Sequence, residues 1–169
     1  FEVIICMFGL LVQGRTSFEE ISIFRNDPIF KRAFDLRYVP AKETLRLYLN
    51  IVATILTIVK PILKSINMNL LKRVKISAIE IENRKYTPVD IDVSPFDNSK
   101  SNKEGVSRTY KGFDGYAPIF CYIGSEGYML DCELREGKQH CQNQTPEFIK
   151  QSIQQIKQLN IEGSFVFRL

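Results

Sequence analysis

The sequence predicts a two-part protein of the mixed α and β class (α+β or α/β), with a helical part at residues 1–82 and a mixed part at residues 83–169. Apolar residues of the first part recur every three or four positions, which is the helical period. From Val89 onward they alternate, as in a strand. Charge divides the chain in the same way, because the first 86 residues carry 14 Lys and Arg against 8 Asp and Glu, and the rest carry 9 against 11.

The basic first part favours a surface for a polyanion, and a solvated helical region is the alternative that charge alone leaves open. The apolar runs Val3–Val12 and Ile51–Val59 are half the ~20 residues that span a bilayer, so we interpret both as buried helix faces and expect no membrane partner. Four cysteines without a CxxC pair indicate reduced, mostly buried thiols in a cytosolic protein. Phe1 and the apolar last residues suggest a fragment of a longer protein.

Capping signals place the helices of the first part. Ser17–Glu20 has the form of a capping box, and Asp27 followed by proline is a second helix start. Pro40 opens a third helix, which Pro61 ends or kinks, and a further basic helical stretch runs to about Ile79. The third helix has an apolar face at spacings of three and four, made of Leu45, Tyr48, Leu49, Val52 and Leu56.

Two short helices before Pro40 fit a helix-turn-helix arrangement. In that motif the second helix sends its first-turn side chains to DNA, and here those would be Lys42, Glu43 and Arg46. Any small helical bundle shows the same pattern, so a helical bundle that does not bind DNA stays open as the alternative.

The mixed part has the order β-β-β-α-β. Its first strand contains Val89–Val93, and two more strands, Pro118–Ile123 and Tyr128–Leu134, are joined by a tight turn with a glycine at each end. A helix starts at Thr145 and has one apolar face and one polar face. A fourth strand begins at Phe165.

Two aspartates share one face of the first strand. Asp90 and Asp92 are two residues apart, so both point the same way, and Asp92 is nearer the carboxyl end. A carboxylate there is a good ligand for Mg²⁺ or Mn²⁺, which use one or two protein carboxylates and complete their shell with water and phosphate oxygens. The alternative is that one or both acids simply end an edge strand in solvent.

The strand order, with an acid late in the first strand, is similar to the opening of the RNase H-like fold. That fold implies the sheet order 3-2-1-4, with the fourth strand beside the first and parallel to it. Its nucleases and transposases hold Asp-x-Ser/Thr at the first strand, and this chain has Asp92-Val93-Ser94.

The sequence as a whole resembles insertion-sequence transposases of the DDE superfamily, in the branch called transposase DDE domain, group 1. The resemblance is carried by DIDVSPFDN, KEGVSRTYKGFDGYAPIF, LREGKQHC and TPEF, and by FRNDPIFKRAF and VPAKETLR in the helical part. It implies a bacterial, nucleoid-associated enzyme of the cytoplasm that cuts element ends and joins them to target DNA as a homodimer, with Mg²⁺ or Mn²⁺.

The family uses three acids, D, D and E. By position, Asp92 corresponds to the first of these acids, and Asp90 is the less favoured candidate for the same role. The second aspartate would lie one residue or so beyond Leu169 and the glutamate much further on, so we expect residues 1–169 alone to be inactive. Two alternatives stay open: a catalytically dead DNA-binding remnant, and an RNase H-like nuclease.

Basic residues with interleaved aromatics follow the first strand. Lys103, Arg108 and Lys111 would contact phosphates while Tyr110 and its neighbours stack on a distorted DNA end. The alternative is a solvated hairpin loop with the aromatic side chains packed beneath it. His140, the single histidine, is expected to contact neither the metal site nor DNA.

Overall fold

The computed structural model describes residues 1–15 and 17–169. They form two compact units, Phe1–Pro61 and Ile62–Leu169. The sequence places the division after residue 82, whereas the compact units divide after Pro61. The boundary lies earlier because Met68 and Leu71 are buried in the core of the second unit.

The first unit is helical. It contains α1 (Glu2–Val12), a 3₁₀ turn (Phe18–Glu20), α2 (Ile21–Phe24), α3 (Pro28–Ala33) and α4 (Lys42–Thr54). The predicted capping box of Ser17 and Glu20 is present. The Asp27 carboxylate accepts hydrogen bonds from the backbone of Ile29 (2.8 Å) and Phe30 (3.2 Å), so the second predicted helix start is confirmed as well.

Phe30 lies at the centre of the first core. Its ring stacks on Phe24 with centroids 4.5 Å apart. A Cβ on Gly9 would come within 2.7 Å of the Phe30 ring, so the missing side chain lets α1 approach α3. The buried apolar residues of this core are Val3, Cys6, Leu10, Ile21, Phe24, Phe30, Leu36, Val39 and Leu45.

The prediction of a buried apolar face on α4 is wrong beyond its first turn. Leu45 is the buried residue of this helix, whereas Tyr48 and Leu49 are 47% and 40% exposed. The run Ile51–Val59 is likewise exposed or half-buried. In the described ranges, no single helix is long and apolar enough to cross a membrane, and α4 and the next helix meet that criterion only when taken together.

The helix break lies at Ile55, and Pro61 lies inside the next helix, α5 (Leu56–Leu71). Proline costs α5 one backbone hydrogen bond without ending it. At the earlier position, the Thr54 hydroxyl donates to the carbonyl of Ile51 (2.7 Å) and competes for a last-turn acceptor. The helical stretch also ends at Leu71, short of the predicted Ile79.

The second unit combines helices with a largely antiparallel sheet, which confirms the mixed α and β class. Its strands are β1 (Ile79–Ile81), β2 (Arg84–Val93), β3 (Phe96–Asp97), β4 (Ser107–Arg108), β5 (Asp114–Tyr116), β6 (Ile119–Ile123), β7 (Tyr128–Glu133) and β8 (Ser164–Arg168), with α6 (Thr145–Lys157) between β7 and β8. In the larger sheet β2 pairs with β1 and β6 antiparallel and with β8 parallel, and β6 pairs with β7. The short strands β3, β5 and β4 form a separate small sheet.

The hairpin of β1 and β2 was not expected from the sequence. Its two-residue turn is formed by Glu82 and Asn83, which have φ of 49° and 61°. Positive φ at both central positions gives the twist that a tight hairpin needs. The turn between β6 and β7 uses Gly124 and Gly127, both at positive φ, as the sequence predicts.

One face of the larger sheet carries the core of the second unit. Val89 and Ile91 of β2 are buried there, together with Met68 and Leu71 of α5 and Phe148 of α6. Since side chains alternate along a strand, Asp90 and Asp92 lie on the other face. The core therefore fixes the direction in which the two aspartates point.

A buried polar link joins α5, β7 and α6. The Asp131 carboxylate, 4% exposed, accepts from Lys64 Nζ and from Gln155 Nε2, each at 2.6 Å. The Cys132 backbone N–H donates to its other oxygen. A buried charge with this many partners is satisfied, so this link holds the three elements together.

Candidate functional site

Asp92 lies at the carboxyl end of β2 with an accessible carboxylate. The Ser94 hydroxyl donates to Asp92 Oδ2 at 3.1 Å, and the Ser94 backbone is held by the carbonyl of Pro118 at 3.0 Å. Among residues 1–15 and 17–169, no basic side chain forms an ion pair with Asp92. The Asp-x-Ser pattern therefore orients one carboxylate oxygen and leaves the group open to a ligand.

Asp90 is occupied. Arg168 of β8 forms a bidentate ion pair with the Asp90 carboxylate. Its Nε donates to Oδ1, and its Nη2 donates to Oδ2 at 2.6 Å. The hydrogen bonds and charge of Asp90 raise the pKa of Arg168. A metal ion at Asp90 would have to displace this guanidinium. The two aspartates thus share a face and differ in availability, and Asp92 is the better candidate ligand.

Asp92 opens into a cleft of about 820 Å³. Asp92 is the one acidic residue among the described residues that line it, and the basic lining residues are Arg108, Lys138 and His140. Apolar residues complete the lining, including Ile91, Val93, Ile119 and Leu169. A single carboxylate in a cleft that also contains basic side chains suits a cation bound together with an anion.

The turn from β4 to β5 forms one wall. The Tyr110 hydroxyl donates to the carbonyl of Val93 at 3.2 Å, which ties the turn to the end of β2. Thr109 closes the turn on the carbonyl of Phe113 at 2.8 Å. Arg108 has a loose, exposed contact with Asp114 at 3.8 Å, so its guanidinium is available to another anion.

The other predicted DNA contacts are not all in this cleft. Lys111 lies beside it, with Nζ 6.0 Å from the Tyr110 ring centroid. Lys103 lines a separate, polar hollow. Lys42 and Arg46 belong to the helical unit, where Glu19 accepts ion pairs from both, at 3.8 and 3.3 Å. Of the predicted DNA contacts in the second unit, the structure therefore brings Arg108 into the same cleft as Asp92.

The loop from Leu134 to Gln144 lines the cleft next to β4 and supplies two residues that the sequence did not single out as a pair, Lys138 and His140. The Lys138 backbone N–H donates to the Ser107 hydroxyl at 2.9 Å. A Cβ on Gly137 would come within 2.0 Å of the Ser107 carbonyl, so only glycine allows this close approach. The glycine within Arg135–His140 was the available signal, because it marks a place where two backbones touch.

The buried side chain of Arg135 holds that loop in place. Its side chain is 2% exposed, donates to Glu133 at 2.8 Å and to the Thr145 hydroxyl at 2.9 Å, and lies over the Phe148 ring. The Thr145 hydroxyl donates in turn to the carbonyl of Cys141. This chain of contacts joins β7, the loop and the start of α6, and so holds the wall that carries His140.

The cysteines correct one prediction. Cys6 and Cys121 are buried, and burial raises the pKa of each thiol to about 11. Cys132 and Cys141 are exposed. Two of the four cysteines are therefore accessible, against the expectation of mostly buried thiols.

Comparison of the chain with protein-family models, curated proteins and solved structures finds no match.

Proposed function

We propose that this chain forms part of a DNA transposase of the DDE type, an enzyme that cuts and joins phosphodiester bonds with Mg²⁺ or Mn²⁺. One observation carries the proposal: the accessible Asp92, at the carboxyl end of β2, lines the same cleft as Arg108, Lys138 and His140. The substrates would be the DNA ends of the element and the target DNA, bound by a homodimer in the bacterial cytoplasm.

An RNase H-like fold is part of this proposal. The neighbours in the larger sheet run β7, β6, β2 and β8, and the contact of β8 with β2 is parallel. These pairings support the order 3-2-1-4 that the resemblance implies. The additional strand β1 pairs with the first residues of β2, away from Asp92.

The register of β8 supports the place of a second acid. Arg168 lies opposite Asp90 in the parallel pair. A chain that continued as a strand past Leu169 would put its next residue opposite Asp92 and on the same face. The aspartate that the family carries directly after this strand would then stand beside Asp92.

The residues present fit one divalent cation as partial ligands. Asp92 offers a carboxylate with one oxygen free of hydrogen bonds among the described residues, while Arg168 holds Asp90. A bound Mg²⁺ would supply charge stabilisation at the phosphate and activation of water or a 3′-hydroxyl. Ser94 orients Asp92 by donating a hydrogen bond to Oδ2.

A DNA-binding remnant without catalytic activity is the second candidate function. It is favoured by one observation, that Asp92 is the single acid of the described cleft lining, because a two-ion reaction needs further carboxylates. A nuclease of the same fold is a third possibility, which would hydrolyse DNA without joining it.

Mn²⁺ binding tests the metal site on the chain as it is. Paramagnetic Mn²⁺ should broaden the backbone amide signals of Ile91 and Val93, and Asp92→Asn should abolish the broadening. Asp35→Asn, a matched change at an exposed carboxylate that does not line the cleft, should leave it intact. Broadening that survives Asp92→Asn and disappears in Asp90→Asn would assign the metal to the wrong residue and overturn the proposal.

A strand-transfer assay tests the reaction. An intact coding frame extending past Leu169 should yield a protein that joins labelled element ends to a plasmid, and Asp92→Asn should remove joining. Hydrolysis without joined product would instead favour the nuclease. A DNA-binding protein that neither cuts nor joins would favour the remnant.

A further inference from the structure

The cleft wall formed by residues 134–144 carries basic side chains that the choice of metal ligands does not explain. Lys138 and His140 face the same cleft as Asp92 and Arg108, yet they sit on a loop that is distant in sequence. A carboxylate that only needed a solvated cation would gain nothing from positive neighbours, because they repel that cation. An anion bound between these basic side chains and a cation at Asp92 removes this conflict.

We infer that Lys138 and His140, together with Arg108, bind a phosphate of a DNA strand next to Asp92. This inference rests on the proposed function and deepens it, since it names the groups that hold the substrate. A phosphodiester has a negative charge for the basic walls and oxygens for a cation held by Asp92. The apolar lining at Val93 and Ile119 suits the sugar that accompanies a phosphate.

His140 is set to donate. Its Nδ1 accepts the backbone N–H of Gln142 at 3.3 Å, so the neutral ring carries its proton on Nε2. Nε2–H is then a hydrogen-bond donor for a phosphate oxygen. The hydrogen bond from Gln142 favours the tautomer with the proton on Nε2.

Lys138 is available at small cost. Its ammonium group has an exposed contact with Glu136 at 3.4 Å, and exposed pairs of this kind contribute little. Its backbone is held tightly, by the hydrogen bond to Ser107 and by the close approach of Gly137. A fixed backbone with a free side-chain end lets the wall keep its place while the ammonium group follows a phosphate.

Binding of a fluorescein-labelled 12-nucleotide single strand in EDTA tests the inference by fluorescence anisotropy. Lys138→Gln should weaken binding and reduce the slope of log affinity against log salt by about 0.7, the value for one phosphate contact on a single strand. Lys85→Gln removes the same charge from the opposite end of β2 and should change neither. His140→Ala should weaken binding more than His140→Gln, which keeps a donor.

Asp92→Asn provides an effect of opposite sign. Without metal, Asp92 repels a phosphate held beside it, so its neutralisation should tighten binding. Addition of Mg²⁺ should tighten binding to the unaltered chain more than to Asp92→Asn. A phosphate bound elsewhere would respond to neither change, and that result would overturn the inference.

Different results would overturn the phosphate site and the metal-dependent function. Equal oligonucleotide affinities for Lys138→Gln and Lys85→Gln, or no oligonucleotide binding at all, would overturn the phosphate site even when Mn²⁺ still marks Asp92. Oligonucleotide binding that depends on Lys138 and His140, with Mn²⁺ indifferent to Asp92, would support the phosphate site and overturn the metal-dependent function.

Discussion

Different interactions stabilise the interior of each compact unit. The core of Phe1–Pro61 is apolar and aromatic, with Phe30 stacked on Phe24 and packed beneath Gly9. The second unit has an apolar core as well, but its buried residues also include Asp131 and Arg135, each with several partners. In Phe1–Pro61 the buried acid Glu2 pairs with Arg37, whose side chain is exposed, whereas Asp131 and Arg135 bond to residues of neighbouring elements within the second unit. Hydrogen bonds depend on direction more than apolar packing does, so these links fix the elements that carry the candidate site.

The largest effect should come from the aromatic core. Phe30→Ala should lower the free energy of unfolding of the helical unit by about 4 kcal/mol, because it removes a buried ring and leaves a cavity. Urea unfolding followed by circular dichroism measures the loss. Ile29→Ala, at a neighbouring side chain that is 77% exposed, is the control and should cost less than about 0.5 kcal/mol. Equal losses would show that the ring is not central to this core.

The buried link should respond through charge. Asp131→Ala should destabilise the second unit by about 3 kcal/mol, because Lys64 loses its partner in a mostly buried place. Asp114→Ala, which breaks an exposed pair, should cost less than about 1 kcal/mol. The double change Asp131→Leu with Lys64→Met should restore much of the stability in urea unfolding. A double variant as unstable as Asp131→Ala would contradict an electrostatic origin.

The glycine contact of the cleft wall should give a smaller effect. Gly137→Ala forces the backbones of the loop and of Ser107 apart, which should cost about 2 kcal/mol. The amide signals of Ser107 and Gly115 should shift in the NMR spectrum. Lys138→Ala truncates the next side chain without a backbone clash and should leave those signals in place. Unchanged signals in Gly137→Ala would show that the two backbones are not in contact.

The smallest effect concerns pH. Hydrogen bonds from Ser77 lower the pKa of Glu126 in the turn between β6 and β7. A carboxylate with a lowered pKa stabilises the fold above its unfolded pKa, and this contribution is lost as pH falls through the folded value. Glu126→Gln should therefore reduce the stability difference between neutral and acid pH. An NMR titration of Glu126 that matches a free glutamate would contradict this.

Local signals predicted much of the structure. Asp27 before a proline, the paired glycines of the β6–β7 turn and the apolar period of α6 each act over a few residues, and the structure confirms the elements that they predict. The length of α5 and the hairpin of β1 were missed. Residues 72–81 continue a basic, apolar pattern that suits either state, and the two-residue turn at Glu82 and Asn83 decides it.

The candidate site was predictable only in part. Asp90 and Asp92 were found because strand parity places them on one face. Their different availability depends on Arg168, which is 78 residues from Asp90. Lys138 and His140 join the cleft through a glycine contact with Ser107, and that contact has no counterpart in local sequence spacing. The exposure of Tyr48 and Leu49 was missed for a related reason, since an apolar stripe does not specify what covers it.

The parallel pairing of β2 with β8 cannot form until the ribosome has made the residues between them. A ribosome adds about 5 to 20 residues per second, so the 78 residues between Asp90 and Arg168 take roughly 4 to 16 s to make. Throughout that interval one edge of β2 has no partner and can pair with a wrong strand. Pairing with β8 then covers that edge, and the Arg168–Asp90 ion pair fastens its carboxyl end. A nascent chain that pauses before residue 164 leaves the edge uncovered for longer.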